Sequence, residues 1–267
     1  MLTEKQIALQ VIQVTDPHLR REVEGTLLGM NTRQSLGAVL ELIQRDGLEP
    51  DLIVATGDIS QDGSEESYQA FRDEMAIFPC PVYWSMGNHD ETRAMVQVAA
   101  GTEALDQVVV RNGWKLILLD SSVPHKVFGR LGRDELRLLE QELAADPDLH
   151  VLISLHHHPV DVESAWLDSI GLRNRDEFFE IVDRFPNVRA ILWGHVHQEV
   201  DTWRGEIRLL GSPSTCVQFK PRSVEFSVDE AAPGYRWLNL MEDGSVETGV
   251  ARCEHIEFVV DLQSKGY

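Results

Sequence analysis

The sequence predicts an α/β protein in which strands and helices alternate over the first two thirds of the chain and strands dominate the remainder. Three observations carry that expectation. Short runs rich in Val, Ile and Leu recur at Ile7 to Thr15, Asp51 to Ala55, Pro81 to Met86, Val151 to Leu155 and Val188 to Trp193. Segments of helical period lie between them, and beyond residue 199 strand pairs gather around glycine turns. Alternation argues for a largely parallel sheet covered on both faces, and the β-rich last part for a second sheet packed on the first.

The elements follow in order. The first run stops at Asp16-Pro17-His18, and Asn31 then caps a helix whose Leu36, Val39, Leu40 and Ile43 share one face until Asp46-Gly47 ends it. The second run leads into Thr56-Gly57-Asp58. Ser64-Glu65-Glu66 opens the next helix, which carries Tyr68, Phe71, Met75 and Phe78. The third run ends in Gly87-Asn88-His89-Asp90, with a helix expected over Thr92 to Ala99. Asn112-Gly113 joins Val108 to Val110 and Leu116 to Leu119 as a type I′ hairpin. Leu136, Leu139 and Leu143 define a helix over Asp134 to Ala145, and the fourth run meets His156-His157-His158-Pro159. A helix from about Asp176 to Phe185 precedes the fifth run and Gly194-His195-Val196-His197. Arg204-Gly205 and Asp243-Gly244 then turn two further hairpins. Without repeats, low-complexity stretches or a linker, residues 1–267 are expected to form one domain with a β-rich part from about 199.

Composition sets limits on function. The 267 residues are 43% hydrophobic and 25% charged, as in a globular protein with a sizeable core. With 24 basic against 44 acidic residues the formal charge is −20, which disfavours nucleic-acid polymers and anionic membranes as partners. A phosphate-bearing ligand then needs local positive charge, which bound metal ions supply. Cys80, Cys216 and Cys253 form no close pair, as expected of a reducing compartment. Met1-Leu2-Thr3-Glu4-Lys5 lacks the basic start of a signal peptide, and no run is long enough to span a membrane, so a cytoplasmic location is expected.

The strand ends carry the chemistry. Asp16 with His18, Asp58, Asn88 with His89, His156, and His195 with His197 each follow an apolar run in the same sense. In open α/β sheets ligands bind beyond the carboxyl ends of the strands, so these loops can converge on one crevice. Mixed oxygen and nitrogen ligands suit borderline first-row metals. There are too many for one ion and enough for two that share a carboxylate. Gly57, Gly87 and Gly194 supply the backbone freedom of tight turns.

Asp-x-His, Gly-Asp, Gly-Asn-His-Asp, His and Gly-His-x-His, in this order from Asp16 to His197, resemble the calcineurin-like metallophosphoesterase superfamily. The resemblance implies a four-layer α/β/β/α sandwich of two packed sheets flanked by helices. It implies one ion held by Asp16, His18, Asp58 and His197, and another by Asp58, Asn88, His156 and His195, with Asp58 bridging. Iron or manganese, or both, are the expected metals, and zinc and cobalt accept the same ligands. Two ions roughly 3.5 to 4 Å apart bind phosphate oxygens and lower the pKa of a bridging water, whose hydroxide attacks phosphorus in line. His89 would be the non-ligand that protonates the departing oxygen, with Asp90 orienting its ring. On this reading His18, Asp58, Asn88, His89, His156 and His197 also line the phosphate side of the substrate site. His157 has a packing or hydrogen-bonding role or takes a direct part in catalysis, His158 is structural, and His125, His150 and His255, outside the blocks, are solvated or locally hydrogen-bonded.

The closer pattern narrows the substrate. Gly57-Asp58-Ile59-Ser60-Gln61-Asp62 lacks the Gly-Asp-x-Val-Asp-Arg-Gly block of protein serine/threonine phosphatases. Leu28 to Thr32, His156 to Pro159, Ser164 to Asp168 with Leu172-Arg173-Asn174, Ser214 to Pro221, and Gly234-Tyr235-Arg236 resemble bacterial class III cyclic-nucleotide phosphodiesterases. That resemblance implies hydrolysis of 3′,5′-cyclic AMP to 5′-AMP. Trp166 or Leu167 would contact the base or ribose, or else anchor their loop on the core, and Arg173 or Asn174 would hydrogen-bond the substrate. A broader phosphodiesterase or phosphomonoesterase would share every ligand; a nuclease is disfavoured because the sequence shows no basic-groove signature, and a non-catalytic scaffold because none of the ligands is missing. The β-rich C-terminal part is a candidate surface for a homodimer.

Overall fold

The computed structural model describes residues 6–266, so the reading of Met1 to Lys5 lies outside the described residues. In chain order the elements are β1 (Ile7–Val14), β2 (Thr26–Leu27), β3 (Met30–Asn31), α1 (Thr32–Arg45), β4 (Leu52–Ala55), α2 (Glu65–Met75), β5 (Val82–Trp84) and α3 (Thr92–Ala99). There follow β6 (Val108–Arg111), β7 (Trp114–Leu119), α4 (Arg133–Ala145), β8 (His150–Leu155), α5 (Ala165–Asp168), α6 (Arg175–Val182) and β9 (Val188–Trp193). The chain closes with β10 (Val200–Arg204), β11 (Ile207–Gly211), β12 (Gln218–Phe219), β13 (Val228–Asp229), β14 (Gly234–Met241) and β15 (Val246–Arg252).

Local signals act where expected. The Asn31 side chain accepts from Gln34 N at 2.9 Å, and Ser64 caps α2 from Ser67 N at 3.3 Å. Asn112 and Gly113 both have positive φ, 47° and 82°, as a two-residue type I′ turn requires, and Arg111 pairs with Trp114 across it. The last helix before β9 ends at Val182 rather than Phe185.

Two sheets pack together, but their composition differs from the expectation. One has the order β15-β14-β1-β4-β5 and the other β10-β11-β9-β8-β7-β6. The early parallel strands are therefore divided between the sheets, and the C-terminal hairpins join one each instead of building a second sheet. Register explains the choice. β14 runs antiparallel to β1 from Met241 opposite Ile7 to Arg236 opposite Gln13, completing a sheet that β4 and β5 leave open on that side.

Period-two alternation sorts side chains into three apolar layers. Leu9 and Val11 of β1 meet Trp114, Leu116, Leu118, Leu152, Ala190 and Leu192 between the sheets. Ile12 and Val14 face the other way, onto Leu36, Val39, Phe71 and Met95 of α1, α2 and α3. On the far side Ile117, Ile153, Ile191 and Trp193 pack on Leu139, Leu143, Phe178 and Val182 of α4 and α6. The layers run helix, sheet, sheet, helix. No helix among the described residues is long and apolar enough to cross a membrane.

Trp114 and Trp193 are the largest fully buried side chains among the described residues, and the Trp114 indole donates to Met241 O at 3.0 Å, tying β7 to the end of β14. Trp114→Ala is expected to cost about 3–5 kcal/mol of unfolding free energy in urea titrations of the metal-free protein. A loss below about 1 kcal/mol would show that the inter-sheet layer can collapse around the gap.

Candidate metal centre

Strand ends of both sheets meet at one edge of the sandwich. Asp16 N donates to Gly57 O at 3.1 Å, His18 N to Asp58 O at 3.0 Å, and Ser85 N to Ala55 O at 2.9 Å, so the loops after β1, β4 and β5 continue side by side. Asp16, His18, Asp58, His195 and His197 all have left-handed backbones, with φ of 53°, 48°, 49°, 66° and 48°. Such conformations cost non-glycine residues on the order of 1–3 kcal/mol each and persist only where surrounding structure enforces them. Five together, all candidate ligands, mark a built site. Gly57 (φ 93°) shows the crowding, since a Cβ there would lie 2.5 Å from His156 Nδ1 and 2.8 Å from Gly87 N.

One constellation joins the ends of β1 and β9. Nε2 of His197 stands 3.3 Å from Asp16 Oδ1 and 3.2 Å from Nε2 of His18. Asp16, His18 and His197 offer ligand atoms within 4.8 Å of one another. Outward-facing nitrogens are anchored: His18 Nδ1–H donates to Gln61 Oε1 at 2.6 Å and His197 Nδ1–H to Val217 O at 2.8 Å. Phe219 stacks on His197 at 4.2 Å. Asp16 is held by Thr15 Oγ1 at 2.6 Å and by His195 N, which lies 3.1 Å from both carboxylate oxygens.

The second constellation joins β4, β5, β8 and β9. His156 Nδ1–H donates to Thr56 O at 2.7 Å, and its Nε2 meets Asn88 Oδ1 at 3.2 Å and Asp58 Oδ2 at 3.3 Å. Asp58 Oδ2 also lies 3.8 Å from His18 Nε2, which puts this oxygen between the two groups. His156, His157 and His195 form a further cluster of ligand atoms within 4.8 Å. His195 therefore clusters away from His197.

The electrostatics favour neutral imidazoles aimed at carboxylates. Burial drives His18 down to about 3 and His195 well below the usual histidine range, leaving lone pairs available. His156 is the exception: burial opposes its charge, but Asp58 beside it overrides and holds it up at about 9. Burial also works against charge on Asp58, yet His156 and His89 keep its carboxyl well below the usual range. Two buried atoms aimed at the centre, Asp58 Oδ2 and His195 Nε2, have no hydrogen-bond partner among the described residues, Asp58 Oδ2 facing His156 Nε2 as an ion pair only. The close pair of His18 and His197 nitrogens needs a proton or a cation between them. Orphaned oxygen and nitrogen atoms, anchored outer nitrogens and a mixed donor set fit a pair of borderline transition-metal ions.

His89 is half-buried, its ring edge-on to His18 at 5.1 Å, and its backbone N–H donates to Asp58 Oδ1 at 2.8 Å. Asn88 and His89 line a cleft of about 480 Å³, bounded also by Gln61 and by Ser122 to His125. His125, which lies outside the motif blocks in the sequence, thus stands in the same cleft as His89. Asp90 takes a different role from the one expected. Its carboxylate accepts from Ile59 N (3.3 Å), Ser60 N (3.0 Å), Gly87 N (2.9 Å) and Tyr68 Oη (3.0 Å), clamping the β4 and β5 loops rather than orienting His89. Burial, with Asp58 nearby, raises it to about 7.

The loop expected over the substrate is tied to the protein. Trp166 donates to Ser223 Oγ at 3.0 Å and packs edge-on against Phe219 and Phe226, each at 5.1 Å, which is the anchoring alternative. Asn174 is buried, and both its amide atoms bond the Leu131 backbone, each at 3.0 Å, so it braces that segment. Arg173 is exposed, with its guanidinium 3.4 Å over the Phe128 ring. Sequence reasoning missed the supports Thr56, Gln61, Val217 and Phe219. Three of them act through a backbone carbonyl or a ring face, for which the sequence has no pattern, although Val217 and Phe219 sit inside a segment that carried the resemblance.

Comparison with known proteins agrees with this geometry. Residues 9–199 match the calcineurin-like phosphoesterase family. The chain is 47% identical over 257 residues to the 3′,5′-cyclic adenosine monophosphate phosphodiesterase CpdA of Pseudomonas aeruginosa, covering 96% of this chain and 94% of that protein. It is 44% identical over 262 residues to the enzyme of the same name from Escherichia coli, with 97% and 95% covered. It is 38% identical over 252 residues to a 3′,5′-cyclic-nucleotide phosphodiesterase of Nostoc, with 94% and 95% covered. Among solved structures, a dimetal phosphatase from Danio rerio has the same fold, with a TM-score of 0.64 at 13% identity, over 97% of this chain and 100% of that one. A purple acid phosphatase from yellow lupin also shares it, with a TM-score of 0.65 at 10% identity, over 96% of this chain and 53% of that one. The chain belongs to the calcineurin-like phosphoesterase family.

Proposed function

We propose that this protein hydrolyses 3′,5′-cyclic AMP to 5′-AMP at a dinuclear metal centre. The observation that carries the reading is that Asp16, His18, Asp58, Asn88, His89, His156, His195 and His197 converge at one edge of the sandwich, in a chain 47% identical to a cyclic-AMP phosphodiesterase over 96% of its length. Asp16, His18, Asp58 and His197 would hold one ion, and Asp58, Asn88, His156 and His195 the other. Iron or manganese would occupy these sites, with zinc or cobalt able to replace them. The three cysteines are all unpaired, which supports a reducing, cytoplasmic setting for the reaction.

When bound, the ions supply Lewis-acid charge to the phosphoryl oxygens and make water acidic enough to act as nucleophile near neutral pH. The protein's own residues do the rest. Thr56 O, Gln61 and Val217 O fix the histidine tautomers, so that each Nε2 faces inward. The cleft beside Asn88 and His89, within the usual range for small-molecule sites, receives the nucleoside. His89 donates its proton to the 3′ oxygen as the bond from phosphorus to that oxygen breaks, leaving a free 3′ hydroxyl and a 5′ phosphate.

Incubation of metal-loaded protein with cyclic AMP, with products resolved by chromatography, should yield 5′-AMP and no 3′-AMP. If no 5′-AMP forms while an unrelated phosphodiester is cleaved well, the broader phosphodiesterase reading replaces this one. His89→Ala should lower kcat by about 10²- to 10⁴-fold while retaining both ions by elemental analysis. Loss of an ion would make His89 a ligand instead of the acid.

A further inference from the structure

The face of β1 that looks into the inter-sheet layer reads Leu9, Val11, Gln13, Thr15, so it turns from apolar to polar as it nears the candidate metal centre. The neighbouring strands turn with it. On β4 the series Leu52 and Val54 leads to Thr56, and on β14 Leu240 and Leu238 lead back to Arg236, which pairs with Gln13 in register. Gln13, Thr15, Thr56, Ser212 and Arg236 are all fully buried. Polar groups in such a place destabilise the fold unless every one is satisfied.

They are satisfied in series. Arg236 Nε donates to Ser212 Oγ at 3.0 Å, Ser212 Oγ donates to Gln13 Oε1, and Gln13 Nε2 donates to Thr56 Oγ1 at 2.7 Å. Thr56 Oγ1 then donates to Thr15 Oγ1 at 2.7 Å, and Thr15 Oγ1 to Asp16 Oδ2 at 2.6 Å. Chemistry fixes the direction of every proton. A guanidinium can only donate and a carboxylate can only accept. The amide of Gln13 cannot be reversed, because its nitrogen also donates to Trp193 O at 3.1 Å. The other acceptor described for the Thr15 hydroxyl, Thr56 O, is 3.4 Å away.

At the far end, the remaining donors of Arg236 meet neutral acceptors: Gly211 O, Val200 O and Thr248 Oγ1 at 2.9, 3.2 and 3.2 Å. Burial draws Arg236 down to about 10, so it remains charged at neutral pH. Among the described residues, no carboxylate lies within ion-pair distance of it. A positive charge at one end, a carboxylate at the other and aligned hydroxyl and amide dipoles between them strengthen one another. The series ends on Oδ2 of Asp16, while Oδ1 faces His197 Nε2 at 3.3 Å.

We propose that Arg236, Ser212, Gln13, Thr56 and Thr15 form a positioning relay that occupies Asp16 Oδ2 and presents Oδ1 to the ion beside His18 and His197. Arg236 thereby sets the metal affinity of that site from five hydrogen bonds away. The inference rests on the reading of Asp16 as a metal ligand.

The test is calorimetric titration of the full-length metal-free protein with Mn²⁺ alone, with thermal melting measured beside it. Ser212→Ala cuts the first two links, touches no candidate ligand and leaves Arg236 its other acceptors. It should weaken one of the two manganese sites by about tenfold or more and leave the other within about threefold. Thr56→Val, which keeps the carbonyl that holds His156, should do the same, and Thr56→Ser should restore the affinity. This pair carries the test if Ser212→Ala does not fold. A lower melting temperature with wild-type manganese affinity in the folded variants would overturn the relay. Asp16→Asn separates the two readings. If it loses an ion while Ser212→Ala binds normally, the relay alone fails; if it keeps both ions, the assignment of Asp16 fails first.

Discussion

The centre depends on how closely the backbones after β1, β4 and β9 approach one another. Asp16 N bonds to Gly57 O, and a Cβ at Gly194 would collide with the Thr15 hydroxyl and stand 2.7 Å from Asp16 Oδ2. At that spacing an extended strand cannot simply continue, and the chain bends through left-handed residues. Asp16, His18, Asp58, His195 and His197 adopt that conformation where glycine would be the unstrained choice, because their side chains are needed and packing on both sheets enforces the bend. The three apolar layers therefore do more than stabilise. They hold five disfavoured backbones in place.

Much of this was legible because it is local. The apolar run from Ile7 to Thr15, the Asn31 and Ser64 caps and the Asn112-Gly113 turn each depend on neighbouring residues, and each acts as its pattern implied. The motif blocks share that property, since every block lies directly after its own strand. Sheet membership was not legible. Whether β14 pairs with β1 or begins another sheet is decided by partners more than 200 residues apart, which periodicity does not encode. Roles that depend on partners tens of residues away were no more legible. Asp90 adjoins His89 in sequence, yet its oxygens bind the backbone of the β4 loop; Asn174 stands beside a loop expected over the substrate, yet it braces Leu131.

The net charge of −20 at first argues against a phosphate-binding protein. The centre resolves the conflict by locality. Burial strips charge from His18 and His195, so the histidines serve as lone-pair donors, and the positive charge that a phosphate needs comes with the ions they hold. Acidic groups such as Glu66 and Glu140 lie on exposed helix faces, where water screens them.

The two constellations are separate in their rings and joined in their supports. Val196, fully buried against the α4 and α6 layer, anchors the turn between two left-handed residues, so the imidazoles on either side diverge. His195 sends its ring toward His156 and His157 while its backbone N–H holds both oxygens of Asp16, in the other group. Thr56 does the converse: its carbonyl fixes His156, and its hydroxyl belongs to the series that ends on Asp16. Asp58 Oδ2 faces both His18 and His156. A displacement of either group must therefore move a backbone atom or hydroxyl that the other relies on. The spacing between the groups is fixed by the sheets beneath them, and not by any side chain that could relax alone.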